Sequence, residues 1–148
     1  MEAQEDFKEL LALFNGHKVE YMIVGAYALA YHGAPRFTGD IDIFVKPSLN
    51  NTQRILSALS DFGFGSLNLT IDDFQNPDSV VQLSVPPVRI DIIPSITGVT
   101  WLEADHGKQE GVYGDIPVYF LGREQYIANK RAIGRKKDIA DLESLGEE

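Results

Sequence analysis

The chain has no cysteine. This excludes a disulfide framework, a thiolate metal site and a cysteine nucleophile. It also lacks any apolar run near the roughly 20 residues that a membrane-spanning helix needs. Basic residues are scarce: 13 Lys and Arg face 22 Asp and Glu, a formal net charge of −9. A protein that coats DNA needs a basic face, so that class is disfavoured. The three histidines, His17, His32 and His106, show no ligand spacing, which argues against zinc. The opening stretch MEAQEDFKEL is acidic and polar, unlike a signal peptide. The expectation is a cytoplasmic protein without a membrane segment. No internal repeat, low-complexity tract or long linker interrupts the 148 residues, and an apolar content of 44% suits a single domain spanning 1–148 with a real core.

What is present alternates. QEDFKELLALF (4–14) repeats Phe7, Leu10, Leu11 and Phe14 at helical spacing and stops at Asn15-Gly16. VEYMIV (19–24) reads as a buried strand, and GAYALAYHG (25–33) as a short helix between glycines. APRFT is a loop that Pro35 keeps out of the helix. DIDIFV (40–45) is the second strand. A helix follows over 48–63, with Ser48 as N-cap and Gly63 as its end. Residues 65–78 read as a loop with a short strand or turn. SVVQLSV and VRIDIIPS are two strands around Pro86-Pro87, expected to be antiparallel. Residues 100–107 form a helical turn, and GVYGDIPVYFLG is strand-like with a tight turn near Gly114-Asp115. Two C-terminal helices close the chain within about 123–145. The order α, β, α, β, α, β, β, β, α, α predicts an α/β (α+β) fold, a mixed central β-sheet flanked by helices.

The unusual residues are acids inside apolar strands. Asp40 and Asp42 are two apart in FTGDIDIFV, so on a strand they share a face while Ile41 and Ile43 point the other way. Either the face is solvated or the pair holds a divalent cation. Without a cation the two carboxylates repel, and one should show a raised pKa. Asp91 in VRIDIIP is again an acid among isoleucines. Arg89 lies on its face and could neutralise it. If the two strands are neighbours, three carboxylates meet, a donor set suited to magnesium. Gly25-Ala26 opens a helix directly after a strand, where unpaired N–H groups and the helix dipole favour an anion. Gly at that turn would also leave space for a phosphate. Many such turns carry Gly for steric reasons alone.

Together these pieces resemble the nucleotidyltransferase superfamily, whose fold is shared by DNA polymerase β. Its signature is Gly followed by Gly or Ser, a gap, Asp-x-Asp or Asp-x-Glu, and a later strand Asp. Here the matching positions are Gly25-Ala26, a 13-residue gap (27–39), Asp40-x-Asp42 and Asp91. The segments IVGAYALAYHGAPRFTGDIDIFV, VQLSVPPVRIDIIPSITGV and IANKRAIGRKKDIADLE resemble the small prokaryotic nucleotidyltransferase proteins, some linked to toxin–antitoxin systems. The likeness covers roughly residues 19–143. One departure is Ala26, which keeps its N–H but lacks the hydroxyl that Ser would offer.

The resemblance implies a nucleotidyltransferase fold and transfer of a nucleoside monophosphate from a nucleoside triphosphate. The acceptor would be a hydroxyl of a protein, an RNA or a small molecule. Asp40, Asp42 and Asp91 would hold Mg2+ or Mn2+, with Asp91 also helping to remove the acceptor's proton. Gly25, Ala26, Arg36, Thr38 and Lys130 would serve the nucleotide. Five of the 13 basic residues lie between Lys130 and Lys137, so a local anion site is compatible with an acidic chain. The alternative left open is a non-catalytic module of the same fold acting as a binding or antitoxin-like partner; a toxin–antitoxin partner or a homodimer is a separate expectation for what the chain assembles with. Several residues have plainer readings. Asp138 and Asp141 would cap the last helix or pair with Lys137 and Arg135. Asp72 and Asp73 fit turn chemistry. Tyr27, Tyr31 and Phe37 could stack on a base, but packing is the simpler expectation.

Overall fold

The computed structural model describes residues 3–147, and the side chains of all of these but Ser66. Six strands form one mixed sheet in the order β3-β4-β2-β1-β6-β5. The elements run α1 Glu5–Gly16, β1 Tyr21–Val24, α2 Gly25–Tyr31, β2 Asp40–Val45, α3 Leu49–Leu59, α4 Ile71–Gln75, β3 Val81–Val85, β4 Val88–Ile93, α5 Trp101–Gly107, β5 Gln109–Tyr113, β6 Ile116–Phe120, α6 Arg123–Ile133 and α7 Lys136–Ser144. β2 pairs with β4, and β1 with β6, in parallel; the other neighbours are antiparallel. Among the described residues no helix is long and apolar enough to cross a membrane.

Periodicity explains the two strands at the centre. All of β1 is buried, as its unbroken apolar run requires. In β2 the residues alternate: Ile41 and Ile43 are wholly buried, while Asp40 and Asp42 keep partial access to solvent. Phe44 and Val45 then enter the core, with Trp101 of α5 meeting the Phe44 ring edge-on at 5.1 Å. The side of β2 that carries the acids is therefore the side where water and ligands can reach it.

One buried polar side chain locks β1, β2 and α3 together. Asn51 is fully buried, and its Nδ2 donates to the carbonyls of Glu20 (3.0 Å) and Lys46 (2.9 Å). Its Oδ1 accepts from the Glu20 N–H at 2.7 Å. Ser48 caps α3 as expected, its Oγ accepting from the Asn51 N–H. A satisfied buried amide of this kind ties strand ends to a helix start and so fixes where β2 sits.

One segment differs from the sequence reading, and two others take the form it expected in more detail. Residues 65–78 hold no strand. Instead Thr70 and Asp73 form a capping box that starts α4, and the buried Phe74 ring anchors it. Asp73 is thus a capping residue rather than a turn residue. The helical path of α3 runs on through a wide turn at Ser60–Phe64, where Gly63 breaks it at φ +101°. The stretch 111–122 resolves into two strands, β5 and β6, paired antiparallel across a turn at Gly114. The expected antiparallel pair around Pro86-Pro87 is present as β3 and β4, joined through a cis Pro86–Pro87 bond.

Candidate active site

Strand register builds the acidic half. In the parallel pairing of β2 with β4, Asp42 stands opposite Asp91 and Asp40 opposite Arg89. Adjacent strands lie about 4.8 Å apart, so these four charged side chains share one small area of one face. On its other side Asp42 is opposite Val24, the last residue of β1. There the chain turns into α2 at Gly25, with φ +66°. A Cβ at Gly25 would collide with Oδ2 of Asp42. Glycine is therefore required twice, by the backbone angle and by the neighbouring carboxylate. The space that Gly25 was expected to leave for a phosphate is used first by Asp42.

Crowding shows in the protonation of Asp42. Its pKa is raised from 3.8 to about 6, first by burial, then by the charge and hydrogen bond of Asp91, and further by Asp40. Lys130 pulls in the opposite direction. Arg89 takes part of the excess charge. Its Nε donates to Asp91 Oδ1 at 2.9 Å, and its Nη2 donates to Asp91 Oδ2 and to Asp40 Oδ2, each at 3.0 Å. Asp91 thus faces Asp42 across the two strands, while Arg89 pairs with it and bridges it to Asp40.

Among the described residues no group of three or more His, Cys, Asp or Glu side chains is disposed to hold a metal ion. Asp40 and Asp91 spend oxygens on Arg89 instead. The donor chemistry nevertheless fits a hard divalent cation. Asp42 and Asp91 offer carboxylate oxygens in register, and their mutual repulsion is what a cation would relieve.

The cationic half comes from α6 and α7. A cleft of about 240 Å³ is lined by Gly25, Asp42, Thr97, Asn129 and Lys130, among others. Asn129 donates to the Thr97 carbonyl at 2.8 Å, which fixes that wall. Lys130 is only 8% exposed, and its Nζ lies 3.2 Å from Asp138 Oδ1 and 3.6 Å from Asp141 Oδ2. The Tyr126 ring supports it, 5.4 Å from Nζ to the centroid. Arg36 Nε reaches Asp141 Oδ1 at 3.3 Å, and Arg135 Nε reaches Asp138 Oδ2 at 2.7 Å. The Arg135 hydrogen bond, with help from Lys130, holds the Asp138 carboxyl down at about 2. A larger hollow of about 600 Å³ beside α5, lined by Leu102, Glu103, Asp105, His106 and Gln125, contains none of the charged strand residues.

The remaining sequence candidates divide. Thr38 fixes the loop before β2, its Oγ1 donating to the Asp40 carbonyl and accepting from the Asp40 N–H, both at 3.2 Å. Ala26 is buried. Tyr27 packs in the core, edge-on to Phe7 and Tyr113, and Tyr31 stacks on Phe120 at 4.3 Å. Phe37 does not pack as expected: it is 91% exposed, because Arg36 and Thr38 on either side anchor the loop and it projects between them. Asp138 caps α7 and pairs with Arg135 as expected, but its contact with Lys130 was not foreseen. Asp141 pairs with Arg36 and Lys130 rather than with Lys137 or Arg135. The signal in the sequence was the turn at Gly134, which folds α7 back along α6 and brings 138 and 141 beside 130.

No protein-family model and no curated protein sequence matches the chain. Solved structures do. A proposed nucleotidyltransferase from Thermotoga maritima, TM1012, is 15% identical, with a TM-score of 0.63 over 93% of this chain and 88% of that one. The lincosamide antibiotic adenylyltransferase LnuA, bound to lincomycin, is 17% identical, with a TM-score of 0.61 over 99% of this chain and 98% of its own. The antibiotic-resistance factor ANT(2'')-Ia is 15% identical, with a TM-score of 0.61 over 95% and 80%. The mixed sheet, its flanking helices and these neighbours agree: the chain has the nucleotidyltransferase fold.

Proposed function

We propose that the protein is a metal-dependent nucleotidyltransferase that moves a nucleoside monophosphate from a nucleoside triphosphate to a hydroxyl group. The observation that carries this reading is the register placing Asp42 opposite Asp91, with Asp40 on the same face and Gly25 turning into α2 beside them. Asp42 and Asp91, joined by Asp40, would hold Mg2+ or Mn2+. When bound, that ion would neutralise phosphate oxygens and make the α-phosphorus more electrophilic. Lys130, and Arg36 near it, would meet the triphosphate. Asp91 would accept the proton of the attacking hydroxyl. The hydroxyl oxygen forms a bond to the α-phosphorus while the bond to the pyrophosphate oxygen breaks, and both electrons of that bond leave with pyrophosphate.

Of the fold neighbours, LnuA is a lincosamide antibiotic adenylyltransferase with lincomycin bound, and the antibiotic-resistance factor ANT(2'')-Ia has been solved with adenylyl-2''-tobramycin. They support ATP as donor and a small hydroxylated molecule as acceptor. The net charge of −9 makes an RNA acceptor the weaker choice. The test is transfer of label from the four α-labelled ribonucleoside triphosphates, with Mg2+ or Mn2+, to a panel of small polyhydroxylated acceptors and to cell extract. Transfer should require Asp42. Undiminished transfer by Asp42→Ala would refute the assignment.

A second reading, a non-catalytic partner protein of the same fold, draws on Arg89, which already neutralises two of the acids. Calorimetric titrations that stay silent with every nucleoside triphosphate and metal, on a folded protein, would favour it.

A further inference from the structure

The acids that surround Lys130 have no part in the strand carboxylate cluster and lie far from β2 and β4 in sequence. Asp138 is wholly buried, and Asp141 is 7% exposed. Lysine and aspartate are seldom buried this deeply unless paired. Each acid holds two cations. Asp138 takes Lys130 and Arg135; Asp141 takes Lys130 and Arg36. Lys130 is thus gripped from two sides at the wall of the cleft that also contains Asp42. Arg36 begins the short segment that Thr38 pins to Asp40. Asp141 therefore links the helix that carries the cleft lysine to the loop that delivers the first strand carboxylate. Three cations against two acids leave this network with an excess positive charge on a chain that is acidic overall.

We infer that Asp138 and Asp141 are positioning residues: they hold Lys130 in place for the phosphates of the nucleotide, and Asp141 registers the Arg36 loop against α7. The inference rests on the proposed transferase reading, since it needs a polyphosphate in the Asp42 cleft. A side chain with four rotatable bonds loses much conformational freedom when it binds an anion. Two acids that restrain it beforehand remove part of that cost. The same acids repel the incoming anion, so they are retained against simple electrostatics. That opposition supplies a test with a sign.

The experiment is calorimetric titration of the folded full chain with magnesium tripolyphosphate and with MgATP. If Asp141 acted only through its charge, Asp141→Asn would tighten binding. Positioning predicts the opposite: at least about fivefold weaker binding, partly restored by Asp141→Glu. Asp138→Asn tests the same idea but also weakens the α7 cap, so Asp141 carries the decision. In a Lys130→Gln background the effect of Asp141→Asn should shrink to the part that runs through Arg36, because there is no amine left to hold. Equal or tighter binding by Asp141→Asn, or an undiminished effect in the Lys130→Gln background, overturns the positioning role while leaving the transferase reading intact. No binding by the wild type overturns both.

Discussion

Replacing Asp42 with Asn is expected to abolish nucleotidyl transfer and at the same time to stabilise the protein above pH 7. The carboxyl has a pKa of about 6 in the folded chain, against 3.8 as its ordinary value. Between these values the unfolded chain has released the proton and the folded chain has kept it. Stability contributed at this site is therefore highest below about pH 4, falls as pH rises towards 6, and stays low above. Holding the charged form at neutral pH costs at most about 3 kcal/mol. Solvent screening of a partly accessible group reduces this to about 1–2 kcal/mol. Asparagine has nearly the same shape, cannot ionise and can donate to Asp91, so it should recover most of that cost. For a chain of this size the gain is about 3–6 °C in Tm. Chemical denaturation of both proteins from pH 4 to pH 8, without divalent cations, measures it. The advantage of Asn should disappear near pH 4, where Asp42 is already protonated. An Asp42→Asn protein less stable than the wild type at pH 8, or one with the same advantage at both ends of the range, would refute the account of a charge-crowded site.

Arg89 should compete with cations for Asp91 and Asp40. Arg89→Gln is expected to bind Mn2+ at least about fivefold more tightly by electron paramagnetic resonance and to melt at a lower temperature without metal; Arg89→Lys, which keeps the charge but loses the two-pronged geometry, should fall between. Gly25→Ala should destabilise by about 2 kcal/mol or more and eliminate transfer, since it combines a positive φ with a collision against the Asp42 carboxylate. In an Asp42→Ala background that cost should drop to about 1 kcal/mol, the backbone part alone, as read by a denaturation cycle.

Local pattern was enough for much of this protein. The alternation Asp40-Ile41-Asp42-Ile43 determines that the acids share one face and the isoleucines the other, because side chains on a strand alternate. Ser48 as a cap, and glycine at the turn after β1, are likewise short-range consequences of backbone chemistry. The α4 helix was missed because its five residues have too few apolar positions to show a period, and only the Thr70–Asp73 box marks its start. Whether Asp91 meets Asp42 depended on β4 lying beside β2, parallel and in that register. A shift of a single residue would have turned every β4 side chain to the other face. Nothing local in VRIDII decides its neighbour, since strand pairing is set by the packing of the whole sheet. The same holds for Arg89 reaching Asp40, for Phe37 standing clear of the core, and for Lys130 lodging between Asp138 and Asp141. The sequence alone determined which side chains could carry charge and which way each would face along its own element. Tertiary structure decided which of them meet, because contacts between distant segments follow from how the apolar faces pack together, and a charge has no means of choosing its partner until that packing has brought the two within a few ångströms.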